Sequence, residues 1–308
     1  SPAAAPLGLY VHWPYCARIC PYCDFNVFKA RGDDPALVQA LIADLERWRS
    51  RLGPRALTSV HFGGGTPSLM SPDAVRQVIE AADRLFGFVA APEIGLEANP
   101  AEQARFADLA SAGIERFSVG VQALEDQSLV ALGRDHDART AIEAVEAAAA
   151  VAPRVSIDLI YAREGQTLAG WMEELRRASA LPAGHISLYQ LTIEPDTAFA
   201  RRVARGELIP PADDLAAQMF AATDAATEAA GFPAYEISNH ARSEADRSRH
   251  NRLYWTGGDW IGIGPGAHSR VGASASGGRV AAEAPSRPEV YIAGVASQAG
   301  WCEARLTA

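Results

Sequence analysis

The chain has 308 residues, 48% hydrophobic and 21% charged, which is globular composition and long enough for one large α/β barrel or two smaller domains. A formal net charge of −9 gives it no global attraction for nucleic acid or an anionic membrane. No apolar run reaches the roughly 18 residues of a membrane span. Ser1-Pro2-Ala3-Ala4-Ala5-Pro6 also lacks the basic and apolar regions of an export signal, so the cytoplasm is the expected compartment. The sequence starts at Ser1 and not at Met, which reads as loss of the first residue.

Taken in order, short apolar runs rich in β-branched residues predict strands at 7–13, 58–62, 93–98, 116–122, 155–161 and 185–191. Helical segments lie between them. Residues 35–51 place Leu37, Leu41, Leu45 and Trp48 on one face. Ser71-Pro72-Asp73 supplies an N-cap followed by Pro at the first helical position, and opens a helix through Val75, Ile79 and Phe86. Further helices are expected at 102–112, 138–150, 168–180 and 213–230. Six strands alternating with helices imply right-handed βαβ units and a parallel sheet. The fold class is α/β, a partial six-stranded TIM-like barrel with a C-terminal extension, an open doubly wound sheet being the competitor. Chemistry then belongs at the C-terminal strand ends. Beyond residue 235 the pattern changes. Residues 235–239 suggest a further strand, 241–249 a polar loop and 272–288 a linker. A helix starting at Pro288 begins a unit that the chain does not complete, so the extension reads as truncated at Ala308.

Three of the four cysteines, Cys16, Cys20 and Cys23, follow the first strand in a C-x3-C-x2-C spacing. Cys302 is remote and reads as an ordinary thiol. A tight triplet is a metal or redox site more readily than a disulfide framework. Three thiolates on one loop can hold three irons of a [4Fe–4S] cluster and leave the fourth open to a small molecule. A structural zinc, completed by His12, His61 or Asp24, and plain buried cysteines are the alternatives. His61-Phe62-Gly63-Gly64-Gly65-Thr66-Pro67 ends the second strand, where glycines let backbone approach a ligand closely. The segment lacks the Lys-Ser/Thr of a phosphate-binding loop.

The triplet and the GGGTP segment resemble those of the radical S-adenosylmethionine (SAM) superfamily. That resemblance implies a [4Fe–4S] cluster on the three cysteines, with SAM chelating the open iron and being cleaved reductively to a 5′-deoxyadenosyl radical. It also implies SAM contacts from Tyr10 and Tyr22 near the cluster loop, from Gly64, Gly65 and Thr66 at the amino end, and from Glu97, Gln122, Arg134, Asp158 and His268. Glu97, Gln122, Arg134 and Asp158 in their segments, together with Gly165-Gln166-Thr167, resemble those of the oxygen-independent coproporphyrinogen III oxidase-like group.

Three features point within that group to the HemW-type haem chaperones. Phe25 stands where the dehydrogenases carry a fourth Cys. Only fifteen residues precede Cys16. His250-Asn251-Arg252-Leu253-Tyr254-Trp255 matches the chaperones' H-N-x-x-Y-W motif. The resemblance implies a haem site with His250 as axial ligand, Asn251, Tyr254 and Trp255 beside it, and Arg247, Arg249 and Arg252 for the propionates. A loop histidine pinned by two aromatics is the structural alternative. The implied partners are haem, a haem-acceptor protein and an electron donor, with no nucleic acid and no membrane span. Coproporphyrinogen III decarboxylation and a related radical SAM methyl transfer are the competing activities. The expected division is a core at 1–235, a segment packing on it at 236–270, and a linker with the start of a further domain at 271–308. Glu164, where many relatives have Pro, departs from the pattern.

Overall fold

The computed structural model describes residues 6–272, 278–297 and 301–306. The N-terminal residues 1–5, the stretch 273–277 of the expected linker, and the last two residues lie outside it. So does the side chain of Cys302.

The six expected strands are present as β1 (Leu7–Trp13), β2 (Leu57–Gly64), β3 (Phe88–Ala98), β4 (Arg116–Gln122), β5 (Arg154–Tyr161) and β6 (His185–Gln190). Each pairs in parallel with the next. The helices that return the chain are α1 (Pro35–Leu52), α2 (Pro72–Phe86), α3 (Phe106–Ser111), α4 (Asp126–Ala131), α5 (Ala138–Val151) and α6 (Leu168–Ser179). After β6 come α7 (Ala198–Ala204) and α8 (Asp213–Ala229). The expected helix at 102–112 is instead a 3-10 turn, Pro100–Arg105, followed by the six-residue α3.

Caps set the helix starts. The Asp34 carboxylate accepts from the Leu37 N–H at α1, and the Ser71 hydroxyl accepts from the Ala74 N–H at α2. The stripe Leu37, Leu41, Leu45 and Trp48 is fully buried against the outer face of the sheet. Burial of side chains this size contributes about 1.5–3 kcal/mol each. The sheet's contribution to the same core is Leu7, Leu9, Val11, Val60, Phe62, Leu96, Phe117, Val119, Ile157 and Leu159.

The C-terminal third departs most from expectation. The strand expected at 235–239 is β7 (Asn239–Ala241), antiparallel to β6. The HNxxYW motif is helical, α9 (Arg249–Trp255), capped by the Ser248 hydroxyl on Asn251 N–H. After α9 comes a strand, β8 (Asp259–Ile263), that pairs in parallel with β1 on the side away from β2. An antiparallel meander continues as β9 (His268–Gly272), β10 (Arg279–Glu283) and, after α10 (Pro288–Ala296), β11 (Cys302–Leu306). The region read as a linker therefore contains β10.

The eleven strands form one sheet in the order β11-β10-β9-β8-β1-β2-β3-β4-β5-β6-β7. Among the described residues its edges, β7 and β11, do not pair, so the sheet is open. Side chains from β1 through β6 nonetheless line one cavity, which requires the parallel part to curl into a partial barrel. The C-terminal meander is tied to α1 through Asp44. This fully buried carboxylate accepts from the Tyr291 hydroxyl at 2.9 Å and the Trp301 indole at 3.1 Å. Trp301 stacks on Trp48 with ring centroids 4.1 Å apart.

Candidate functional site

Along most of their length the parallel strands alternate, with register shifts at Leu57/Ser59 and Val119/Gln122. Outward residues are mostly apolar and meet the helices, whereas inward residues are mostly small, polar or titratable. Tyr10, His61, Gly95 and Arg116 are in register at one level of the inner face. Glu97, Ser118, Ser156 and His185 form the next level, with Asp158 and Ser187 above. A two-sided apolar strand would be buried on both faces; this pattern leaves a polar interior. The interior holds two adjoining spaces. An upper cleft of about 360 Å³ lies at the C-terminal strand ends, and a lower cavity of about 250 Å³ lies beneath it. Glu97, Ser118, Asp158 and Tyr189 line both.

The upper cleft gathers Cys16, Cys20, Cys23, Tyr22, Gly64, Gly65, Thr66, Glu97, Gln122, Arg134 and Asp158. The cysteine loop is clasped at its base by two short parallel strands, Tyr15–Cys16 and Phe28–Lys29. Tyr22 fixes the far side by packing with Phe199 in a second apolar cluster. Burial pushes the thiols of Cys16 and Cys23 up, the latter to about 11. Arg134 donates to Cys20 Sγ at 3.2 Å and to Asn99 Oδ1 at 2.8 Å, so a cation faces one sulfur. Among the described residues no three His, Cys, Asp or Glu side chains converge tightly enough to hold a single metal ion. Three thiols on one loop are a donor set in which each can take a separate iron of a cluster.

The glycines of GGGTP answer to packing within the protein. Gly64 has a φ of 106°, and a Cβ there would meet the His12 ring at 2.6 Å. A Cβ on Gly65 would stand 2.8 Å from Tyr15 O and 2.9 Å from Trp13 O. The Gly65 and Thr66 N–H groups donate to those same carbonyls. What approaches this backbone so closely is the base of the cysteine loop, where the sequence suggested a ligand. Gly65→Val is therefore expected to lower the thermal midpoint and the reconstituted iron content together. A variant with unchanged melting and full iron would refute this tie.

The strand ends carry further polar groups. Glu97 accepts from the Gly64 N–H at 3.1 Å and stands 3.2 Å from His61 Nε2. Gln122 has a left-handed φ of 65° and a buried Oε1 with no partner, a strained residue aimed into the cleft. Asp158 accepts from Ser118 at 3.0 Å, and burial raises its carboxyl to about 6. Its folded pKa lies above the ordinary carboxylate value of 3.8, so the native state binds this proton more tightly than the unfolded chain does. The group therefore costs stability as pH rises from about 4 to about 6. Asp158→Asn removes the cost. It should gain up to about 3 kcal/mol on wild type between pH 4 and pH 7.5 in urea melts. A difference independent of pH would show that burial does not shift this carboxyl.

Two expected contacts lie elsewhere. Tyr10 lines the lower cavity, its hydroxyl 3.0 Å from His12 Nδ1. His268 lines neither space; its side chain is 55% exposed at the start of β9. Thr167, at the end of the GQT segment, is the N-cap of α6. Glu164 accepts from the Ile209 N–H at 2.7 Å.

In the lower cavity α9 closes the floor. His250 is 3% exposed. Its Nδ1 meets Ser59 Oγ at 2.9 Å and its Nε2 meets the Tyr254 hydroxyl at 2.6 Å. It stacks on His61 at 5.1 Å, and burial holds its pKa well below the usual imidazole range. In this conformation each ring nitrogen of the expected haem ligand is engaged by a hydroxyl. Asn251 donates to Tyr235 and Glu236. Trp255 is 55% exposed, so the motif divides between the interior and the surface. The three flanking arginines are engaged: Arg247 and Arg252 pair with Glu244, and Arg249 donates to Ala91 O.

Sequence reasoning missed the buried carboxylate that organises this floor. Glu93, 1% exposed, accepts from Arg154, from Ser248 and from the N–H groups of Arg249 and His250. His185, between Ser156 and Tyr235, was missed as well. The signal for both was the alternation of polar residues along strands that otherwise read as apolar.

Residues 10–178 match the family model described as the radical SAM superfamily. Radical S-adenosyl methionine domain-containing protein 1, mitochondrial, of Danio rerio is 39% identical over 310 residues, covering 99% of this chain and 70% of that protein. Its Bos taurus counterpart is 41% identical over 282 residues, covering 90% and 64%. Heme chaperone HemW of Haemophilus influenzae is 39% identical over 279 residues, covering 88% and 72%. The chain thus spans roughly two thirds of the length of these relatives. In fold it is similar to coproporphyrinogen III oxidase (HemN) from Escherichia coli, with a TM-score of 0.81 at 22% identity over 99% of this chain and 73% of that one. The cysteine loop at the mouth of an α/β parallel sheet and these likenesses agree: the chain belongs to the radical SAM superfamily, in its HemN-like, HemW-type group.

Proposed function

We propose that this chain is a haem chaperone, which binds haem and passes it to an acceptor protein, with a [4Fe–4S] cluster and SAM held in the upper cleft. The observation that carries the reading is its 38–39% identity to relatives named haem chaperones, over 86–88% of the chain. Phe25 supports it. This side chain is 62% exposed at the cleft lip, where the coproporphyrinogen dehydrogenases carry a fourth cysteine.

Cys16, Cys20 and Cys23 would hold three irons. When bound, the cluster and SAM supply one-electron chemistry that no side chain of this protein offers. Arg134 fixes the Cys20 sulfur and Asn99 together. Glu97, held by Gly64 N–H and His61, would present a carboxylate to the SAM ammonium beside Gly64, Gly65 and Thr66. Asp158 would accept from ribose hydroxyls above pH 6, where it is ionised. Gln122 offers its unpartnered Oε1 to a donor.

The partners in this reading are haem, an acceptor and an electron donor, none of them nucleic acid. Among the described residues no helix is long and apolar enough to cross a membrane. A reducing compartment, which keeps the three thiols free, belongs to the proposal; we assign the cytoplasm, while the animal relatives are named mitochondrial. The likeness of the fold to that of HemN favours coproporphyrinogen III oxidation as the second reading. Anaerobic reconstitution followed by parallel haem titration and coproporphyrinogen III turnover separates the two. The chaperone reading expects stoichiometric haem and no decarboxylation. Turnover without haem binding would overturn it.

A further inference from the structure

We infer that haem, in the function proposed above, is carried on the open face of β8, β9 and β10, with His268 as its axial ligand and Arg270 and Arg279 as partners for its propionates. The inference rests on the chaperone reading and assigns it a site.

Elimination among the seven histidines comes first. His12, His185 and His250 each use both ring nitrogens in hydrogen bonds. His61 is bonded to Glu97 and stacked against Tyr10 and His250. The side chains of His136 and His240 are 0% and 1% exposed. His268 alone has an exposed imidazole, and among the described residues that ring makes no hydrogen bond. Glu283 Oε1 lies 3.8 Å from its Nε2. That is too far to hold the ring, and near enough to polarise it once it turns, as carboxylates behind ligating imidazoles do.

The surroundings suit a flat, anionic macrocycle. Side chains stand roughly perpendicular to a sheet, so His268 points outward from the strand face that also carries Arg270. Trp260 is cross-strand from Arg270. The Arg270 and Arg279 guanidiniums lie 6.0 and 5.7 Å from the Trp260 ring, and Tyr254 meets that ring edge-on at 4.5 Å. Arg270 has no carboxylate partner among the described residues, its guanidinium reaching only Ser269 O. Arg279 also stands 3.6 Å from Asp259. Half-buried cations beside aromatic faces in a chain of net charge −9 are complementary to a dicarboxylate. Three strands of five residues offer a face about 10 Å across and about 13 Å long, the scale of a tetrapyrrole.

The test is titration of the full chain with hemin and, separately, with iron-free protoporphyrin IX. It compares wild type, His268→Ala, His250→Ala and Arg270→Glu, with cluster iron and SAM affinity measured alongside. His268→Ala should lose the axially ligated Soret spectrum yet keep protoporphyrin affinity. Arg270→Glu should weaken both ligands roughly tenfold, and His250→Ala should retain the wild-type spectrum. Loss of ligation in His250→Ala with retention in His268→Ala overturns this site and leaves the chaperone reading standing. Weakened SAM binding with unchanged haem in His268→Ala also overturns it, as does wild-type binding by all three variants. A wild type that takes up no haem overturns the chaperone reading itself.

Discussion

Alanine at Cys16, Cys20 or Cys23 is expected to leave anaerobically reconstituted protein without its iron–sulfur absorbance. The three sulfurs share one clasped loop, and removal of any one leaves two ligands for a cluster that needs at least three protein thiolates here. The loss should be complete, because among the described residues no other cysteine lines the cleft. Burial holds the Cys16 and Cys23 thiols protonated at neutral pH, so loading must release protons, and reconstitution should improve from pH 7 to pH 9. Iron and sulfide analysis checks both statements. Three single variants that each keep a full four-iron complement would overturn the ligand assignment.

Loss of the Glu93 carboxylate should produce the largest change in stability. Glu93→Ala would strand Arg116, 4% exposed and 3.7 Å away, and would take an acceptor from Arg154 and from the first turn of α9. Breaking a buried pair by removing one partner costs about 3–5 kcal/mol. Burial alone would raise this carboxyl, but Arg116, the two backbone N–H groups and Arg154 outweigh it and hold the pKa below the usual range. A depressed folded pKa means that the stabilisation is present above the ordinary carboxylate pKa and is lost as pH falls through the folded value. The gap between wild type and variant should therefore close in acid. Urea melts at pH 7.5 and pH 4 test it, and a loss under about 1 kcal/mol at pH 7.5 would mean that α9 is held by other contacts.

The outer half of this protein was legible in its sequence. Leu37, Leu41, Leu45 and Trp48 mark a helix face because apolar burial has a period, and Ser71-Pro72 marks a helix start because its hydroxyl has only one local acceptor role to fill. The cysteine loop was legible because its ligands are close in sequence. The interior was not. Glu93 meets Arg249 and His250 across more than 150 residues, a proximity that no local pattern encodes. β8 was missed because Asp259-Trp260-Ile261-Gly262-Ile263 is short and glycine-bearing, and its identity as a strand depends on β1 lying beside it. The HNxxYW segment looked like a loop because its helix is only seven residues long and is fixed by the Ser248 cap and Glu93.

The pairing of β8 with β1 also bears on how the chain is made. Val11 meets Ile263, so the first strand synthesised waits for one of the last before its second edge is covered. At a synthesis rate of about 5–20 residues per second, the interval between completion of β2 and arrival of β8 is roughly 10–40 s. For that time Leu7, Leu9 and Val11 flank an unsatisfied row of amides, the arrangement most prone to mispairing with another nascent chain. Asn26, beside the cysteine triplet, donates to Pro265 O and Ser286 O. The cysteine loop thus reaches its final anchorage only after the C-terminal meander has emerged, and its thiols remain accessible to metal donors and to oxidants until late in translation.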